Sequence, residues 1–131
     1  MSHTVIEGME MERLDRIALF QGNIYGTKYW RDSVCCCNST GEPLWIFQHQ
    51  DIKRPVGITL DKNGFVYIDS DGNNSVVVVS SDGKTCKTIL SEADGIEEPY
   101  GIDINKDTGM MIVSSKISED SIYETAGVYK I

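Results

Sequence analysis

Histidine is scarce in this chain: His3 and His49 are the only two. That scarcity removes the side chain most often used for acid-base chemistry and metal ligation at neutral pH. Cationic residues are also few, 12 against 20 acidic ones, for a formal net charge of −8. Such a balance repels phosphate backbones and anionic lipid unless the cations gather on one face, so nucleic acid is not the default partner. No stretch approaches the roughly 20 apolar residues of a membrane-spanning helix, and no membrane engagement is expected. The opening MSHTVIEGMEME carries three glutamates and no apolar run of the kind a secretory signal needs, so the expected location is cytoplasmic and the expected state soluble. Cysteine is present but badly spaced for the usual purposes. Cys35, Cys36 and Cys37 are consecutive and Cys86 stands apart, which matches neither a secreted disulfide framework nor a CxxC zinc pattern. Without a secretory signal, the sequons Asn38-Ser39-Thr40 and Asn73-Asn74-Ser75 are read as polar turns.

What is there is a repeat. The 131 residues fit one domain, and 40% hydrophobic content suffices for a core. Sliding the sequence along itself lays the segment from Gly22 over the one from Gly64, an offset of 42 that superposes Tyr25 on Tyr67, Val34 on Val76 and Gly41 on Gly83. A second match, at offset 44, lays Pro55, Gly57, Ile58 and Lys62 over Pro99, Gly101, Ile102 and Lys106. Periods of this size indicate a repeat architecture. Within the middle copy the pattern predicts four short strands, 56–60, 65–69, 75–80 and 86–90. Gly64 and Gly83 fall in the first and last connections, where a hairpin needs positive φ. Val76 to Val79 is an unbroken β-branched run, so both faces of that strand are expected to be dry. A four-stranded meander covered on both faces without helices describes a blade of a β-propeller. A β-sandwich is the rival, disfavoured because Greek-key sandwiches do not usually duplicate a meander in register.

The stretch RPVGITLDKNGFVYI at 54–68, followed by NNSVVVVSSDGK, resembles an NHL repeat, with Pro55, Gly57, Ile58, Asp61, Gly64, Val66, Tyr67 and Gly83 at that pattern's main positions. The likeness runs from about Leu14 onward. It is greatest to the C-terminal propellers of tripartite-motif proteins, of molluscan and vertebrate type. The resemblance implies six-bladed propellers that select protein or RNA targets in the ubiquitin pathway while a separate RING domain does the chemistry. This chain carries no RING or B-box zinc pattern and no coiled-coil heptads. Ligase activity therefore does not carry over.

The expected fold is all-β: a partial propeller of about three four-stranded antiparallel blades, the last incomplete. Residues 1–12 form a leading segment, 13–53 a degenerate first repeat, 54–97 the second and 98–131 the third, which lacks a fourth strand. In the first repeat, Arg13-Leu14-Asp15-Arg16-Ile17 replaces Pro-x-Gly-Ile; in the third, 127–131 reads as the third strand. Rings close with about four to eight blades, so three leave open ends. The expectation is a truncated product, or half of a six-bladed ring in which His3-Thr4-Val5-Ile6 of one copy completes the third blade of another in a homodimer.

Catalytic constellations are not evident, and no catalytic residue, cofactor or metal is assigned. His49 reads as a solvated loop residue. Asp82-Gly83-Lys84-Thr85 lacks the earlier glycine of a phosphate loop, and Asp69-Ser70-Asp71-Gly72-Asn73 lacks the closing glutamate of a calcium loop. Cys35 to Cys37 stand where the next copy has valines and are expected to pack in a strand, as are Trp45 and Phe47 in an outer one. Recognition is expected on one rim, formed by the segments before each Pro-x-Gly and after each second strand. There Tyr29, Trp30 and Arg31 would join Lys53, Arg54 and Tyr100. Aromatics mixed with cations suit protein hot spots and also single-stranded RNA. The primary expectation is a non-enzymatic module for a protein partner. The alternatives are RNA binding by the same rim, and a calcium-dependent hydrolase or lyase of gluconolactonase-like type with Asp103 facing a central channel.

Overall fold

The computed structural model describes residues 14–116 and 124–131, so the 3–6 segment expected to supply a closing strand lies outside the described residues. Among the described residues, eleven strands form three antiparallel sheets in simple meander order. The first sheet comprises β1 (Arg16–Phe20), β2 (Asn23–Lys28), β3 (Ser33–Cys37) and β4 (Pro43–Gln48). The second comprises β5 (Pro55–Leu60), β6 (Val66–Ser70), β7 (Ser75–Val79) and β8 (Cys86–Leu90). In the third, β9 (Gly101–Asn105), β10 (Met110–Lys116) and β11 (Glu124–Lys130) pair, and no fourth strand follows among the described residues. These are the blades of a partial, unclosed propeller. The strands of the second blade lie within a residue of their predicted places. The worn first repeat nevertheless makes a full four-stranded blade: Ile17 pairs Gly26 and Leu19 pairs Ile24 without the Pro-x-Gly signal.

Strand alternation builds the stack. On one face of the second blade, Ile58, Leu60, Val66, Ile68, Val77 and Val79 meet Tyr25, Val34, Cys36 and Phe47 of the first. On the other, Tyr67 and Val76 meet Ile104, Met111 and Val113 of the third. β7 is thus buried from both sides, as its valine run predicts. The inner strands β1, β5 and β9 are neighbours in that order. Gly64 (φ +85°) and Gly83 (φ +70°) occupy the left-handed turn positions foreseen for them.

The Pro-x-Gly signature has a local cause. Pairing of β5 with β6 is irregular between Pro55 and Ile58, and the amide of Gly57 donates instead to Asp69 Oδ1 at 2.8 Å. A Cβ on Gly57 would lie 2.4 Å from Asp69 Oδ2, so glycine is the residue that lets the buried carboxylate reach the bulge. Trp45 plays the complementary part at the outer edge. Its indole lies across Gly83 of the next blade, where a Cβ would approach within 2.2 Å of the ring.

Candidate functional site

After β2 the chain makes a short 3-10 turn at Tyr29–Arg31, and after β6 the equivalent turn at Asp71–Asn73. Each is closed by a left-handed residue, Asp32 (φ 50°) in the first blade and Asn74 (φ 53°) in the second. Asparagine and aspartate tolerate that conformation better than other non-glycine residues. Both then reach forward to the next blade. Asp32 Oδ1 accepts the amide of Arg54 at 2.7 Å, and Asn74 Oδ1 accepts the amide of Glu98 at 2.8 Å. Arg54 and Glu98 are themselves left-handed, with φ of 47° and 43°. This repeated clasp, one per blade junction, fastens the segment before each inner strand to the turn after the preceding blade's second strand. Sequence reading missed it. The available signal was Asp32 and Asn74 standing 42 residues apart immediately before the aligned Ser33 and Ser75.

The clasp brings several of the expected rim residues together. Gly72 donates to the Lys53 carbonyl at 2.9 Å and Asp71 to the Arg54 carbonyl at 3.2 Å, while Ser70 Oγ accepts the Lys53 amide at 2.8 Å. Gln48 Nε2 donates to the Arg31 carbonyl at 3.2 Å. Arg31, Gln48, His49 and Lys53 line one shallow hollow. Trp30 is 80% exposed and edge-stacked on Tyr29, with ring centroids 4.8 Å apart. Tyr100 stands one blade further on, 38% exposed, its amide bonded to the Ser114 carbonyl at 3.1 Å. Tyr29, Trp30, Arg31 and Lys53 therefore border one joint and Arg54 spans it, whereas Tyr100 belongs to the next.

The remaining chemistry-bearing residues have structural surroundings. Cys35, Cys36 and Cys37 are buried and unbridged, and burial pushes the Cys35 thiol up to about 11, which keeps it from acting as a thiolate. Asp82-Gly83-Lys84-Thr85 is a hairpin turn, with Ser80 Oγ donating to Asp82 Oδ1 at 2.6 Å and accepting the Thr85 amide at 3.0 Å. Tyr67 donates its hydroxyl to Asp61 Oδ2 at 2.9 Å, and burial followed by that bond pushes it up to about 12. Asp103 Oδ1 accepts from the Thr59 hydroxyl at 3.4 Å and from the Ile104 amide at 2.9 Å. Among the described residues it belongs to no cluster of three groups able to hold a metal.

Sequence comparison now adds a direction. The chain is similar to part of a ubiquitin ligase. It is 26% identical over 101 residues to the E3 ubiquitin-protein ligase TRIM56 of Mus musculus, a match covering 72% of this chain and 14% of that protein. The chain thus spans about one seventh of the relative's length. No protein-family profile matches. By shape, it is similar to the computationally designed Ika4 protein, with TM-score 0.68 and 11% identity over 95% of this chain and 69% of that one. It is also similar to the hydrazine synthase of Kuenenia stuttgartiensis, with TM-score 0.53 and 14% identity over 96% of this chain and 49% of that one. At such identities these likenesses speak for the fold alone.

Proposed function

We propose that the chain is a segment of an NHL-type β-propeller acting as a non-catalytic recognition module for a protein partner, as a substrate-selecting part of a tripartite-motif ligase would. The similarity to a stretch of TRIM56 carries this reading. The joint between the first two blades supplies the physics. A large indole, 80% exposed and braced by Tyr29, stands beside Arg31 and the hollow it shares with Lys53. Trp, Tyr and Arg are the residues on which binding energy concentrates, and a backbone already fixed by the Asp32–Arg54 clasp costs little further ordering on association. The module presents the partner; bond-making belongs to another domain.

The test starts from proteins retained by the wild-type chain from cell extract, each then purified and titrated against wild type, Trp30→Ala and Arg31→Glu. Trp30→Ala is expected to weaken binding by roughly tenfold or more, as truncation of a hot-spot aromatic does, with thermal unfolding unchanged. Equal affinities for wild type and both variants would overturn the assignment of this joint. Salt-sensitive binding of single-stranded RNA, lost in Arg54→Glu with no protein partner retained, would replace it with the RNA reading.

A further inference from the structure

Among the described residues, one place gathers three side chains of metal-ligating type, with His49 standing at the edge of the rim hollow and the other two outside it. An imidazole nitrogen of His49, a carboxylate oxygen of Asp51 and the sulfur of Cys86 all lie within 4.8 Å of one another. We propose that these residues form a binding site for zinc or a similar borderline transition-metal ion that fastens the first blade to the second.

The donor set favours that class. One nitrogen, one oxygen and one sulfur suit zinc or cobalt, whereas magnesium and calcium take oxygen ligands. Around a tetrahedral zinc, ligand atoms about 2.0–2.3 Å from the metal stand roughly 3.3–3.6 Å from each other. His49 Nδ1 and Asp51 Oδ2 are already 3.6 Å apart. The Cys86 sulfur lies within 4.8 Å of both and has to close by up to about 1 Å to join them. The approach is also prepared by the fold. The imidazole stacks on Phe47, rings parallel to within 3°, and its Nδ1 stands 3.1 Å from the Asp51 amide nitrogen, which holds the ring toward Asp51. A metal would displace this contact. The loop bearing both ligands is anchored to the second blade: Asn73 Nδ2 donates to the Asp51 carbonyl at 2.8 Å, and Ile52 is buried. Cys86 is half-buried and opens β8, the outer strand of that blade. Binding forms a metal–sulfur bond and releases the thiol proton to solvent, which leaves a fourth position for water. Cys35, Cys36 and Cys37 are buried elsewhere and do not compete.

Cobalt(II) titration of the full chain tests this, because cobalt–thiolate coordination produces near-ultraviolet charge-transfer absorption that nitrogen and oxygen ligands do not. The expected result is saturation at one cobalt per chain, displacement by zinc, and loss of the band in Cys86→Ser and of tight binding in His49→Ala. Zinc should also raise the thermal midpoint of wild type but not of Cys86→Ser. No charge-transfer band at equimolar cobalt, or a band that survives in Cys86→Ser, would overturn the site. The cobalt band is read on the chain alone, with no partner added, so its failure and the failure of the rim reading are distinguishable.

Discussion

Asp69 is the residue whose placement contradicts ordinary solvation most directly. It is fully buried, one carboxylate oxygen accepts the Gly57 amide, and Oδ2 is without a hydrogen-bond partner. Burial raises its pKa from 3.8 to about 6, partly offset by the Gly57 amide. A carboxyl whose folded pKa exceeds its unfolded one binds more protons in the folded state, so stability is full below the unfolded value and falls as pH rises through the folded one. The shift of about two units corresponds to about 3 kcal/mol lost between pH 4 and pH 7. Asp69→Asn keeps an acceptor for Gly57 and cannot ionise. It is therefore expected to raise stability by an amount of that order at pH 7.5 and to make little difference at pH 4. Urea unfolding at the two pH values checks this, and a variant no more stable than wild type at pH 7.5 would show that the carboxylate is solvated or paired. Asp69 occupies the position of Thr27 in the first blade, whose hydroxyl instead bonds the Val56 carbonyl of the next inner strand at 2.8 Å. One blade thus joins its neighbour through a neutral hydroxyl where the other carries a carboxylate used for its own bulge.

Between the elements, the Asp32–Arg54 and Asn74–Glu98 clasps set how consecutive blades meet. Each combines a left-handed residue with a side-chain acceptor for the first amide of the next repeat, so it fixes both the exit of one turn and the entry to the following inner strand. Asn74→Ala removes the acceptor and puts a residue without asparagine's local polar side chain in the left-handed region. The two effects are each worth about 1 kcal/mol, giving an expected loss of about 2 kcal/mol. Asn74→Gly relieves the dihedral but not the missing acceptor and should cost about half as much. Denaturant unfolding gives the totals, and hydrogen exchange should show β9 losing protection before β2. Uniform loss across all strands would mean that the blades unfold as one unit and the clasp has no local role.

At the scale of the whole molecule, each end of the arc exposes the kind of face that the middle blade buries. Ile17, Leu19, Leu44 and Ile46 are exposed on the first blade, and Ile112 and Val128 on the third. By alternation these residues point away from the internal interfaces, where Ala18, Phe20 and Phe47 at one end and Met111 and Val113 at the other face inward. Two such arcs placed end to end would pair a first-blade face with a third-blade face twice, a two-fold arrangement that closes a six-bladed ring. If the ring closes on itself, light scattering gives twice 14.6 kDa for the purified chain and Leu19→Glu shifts it toward monomer. A stable, cooperatively folding monomer at micromolar concentration would refute self-closure and assign the open faces to other blades of a longer chain.

Much of this architecture was readable in the amino-acid order, because it rests on local physics. Glycines at Gly64 and Gly83, alternating apolar residues and the valine run of β7 each constrain only a few neighbouring residues, and the 42- and 44-residue offsets repeat those constraints. The rim was legible in part, since turn positions after β2 and before β5 follow from the repeat. What sequence could not supply was anything requiring two distant segments to be brought into contact. Asp69 reads as a surface-type residue until the fold seals it against the bulge at Gly57. His49 reads as a loop histidine until Cys86, 37 positions later, is carried to its side. The first blade forms despite lacking its signature because packing against the second compensates for a weak local signal. Sequence by itself determined the strands, the turns and their period, as each is decided within a few residues; only tertiary structure decided which charges are buried and which ligands meet, because burial and proximity belong to the packed blades.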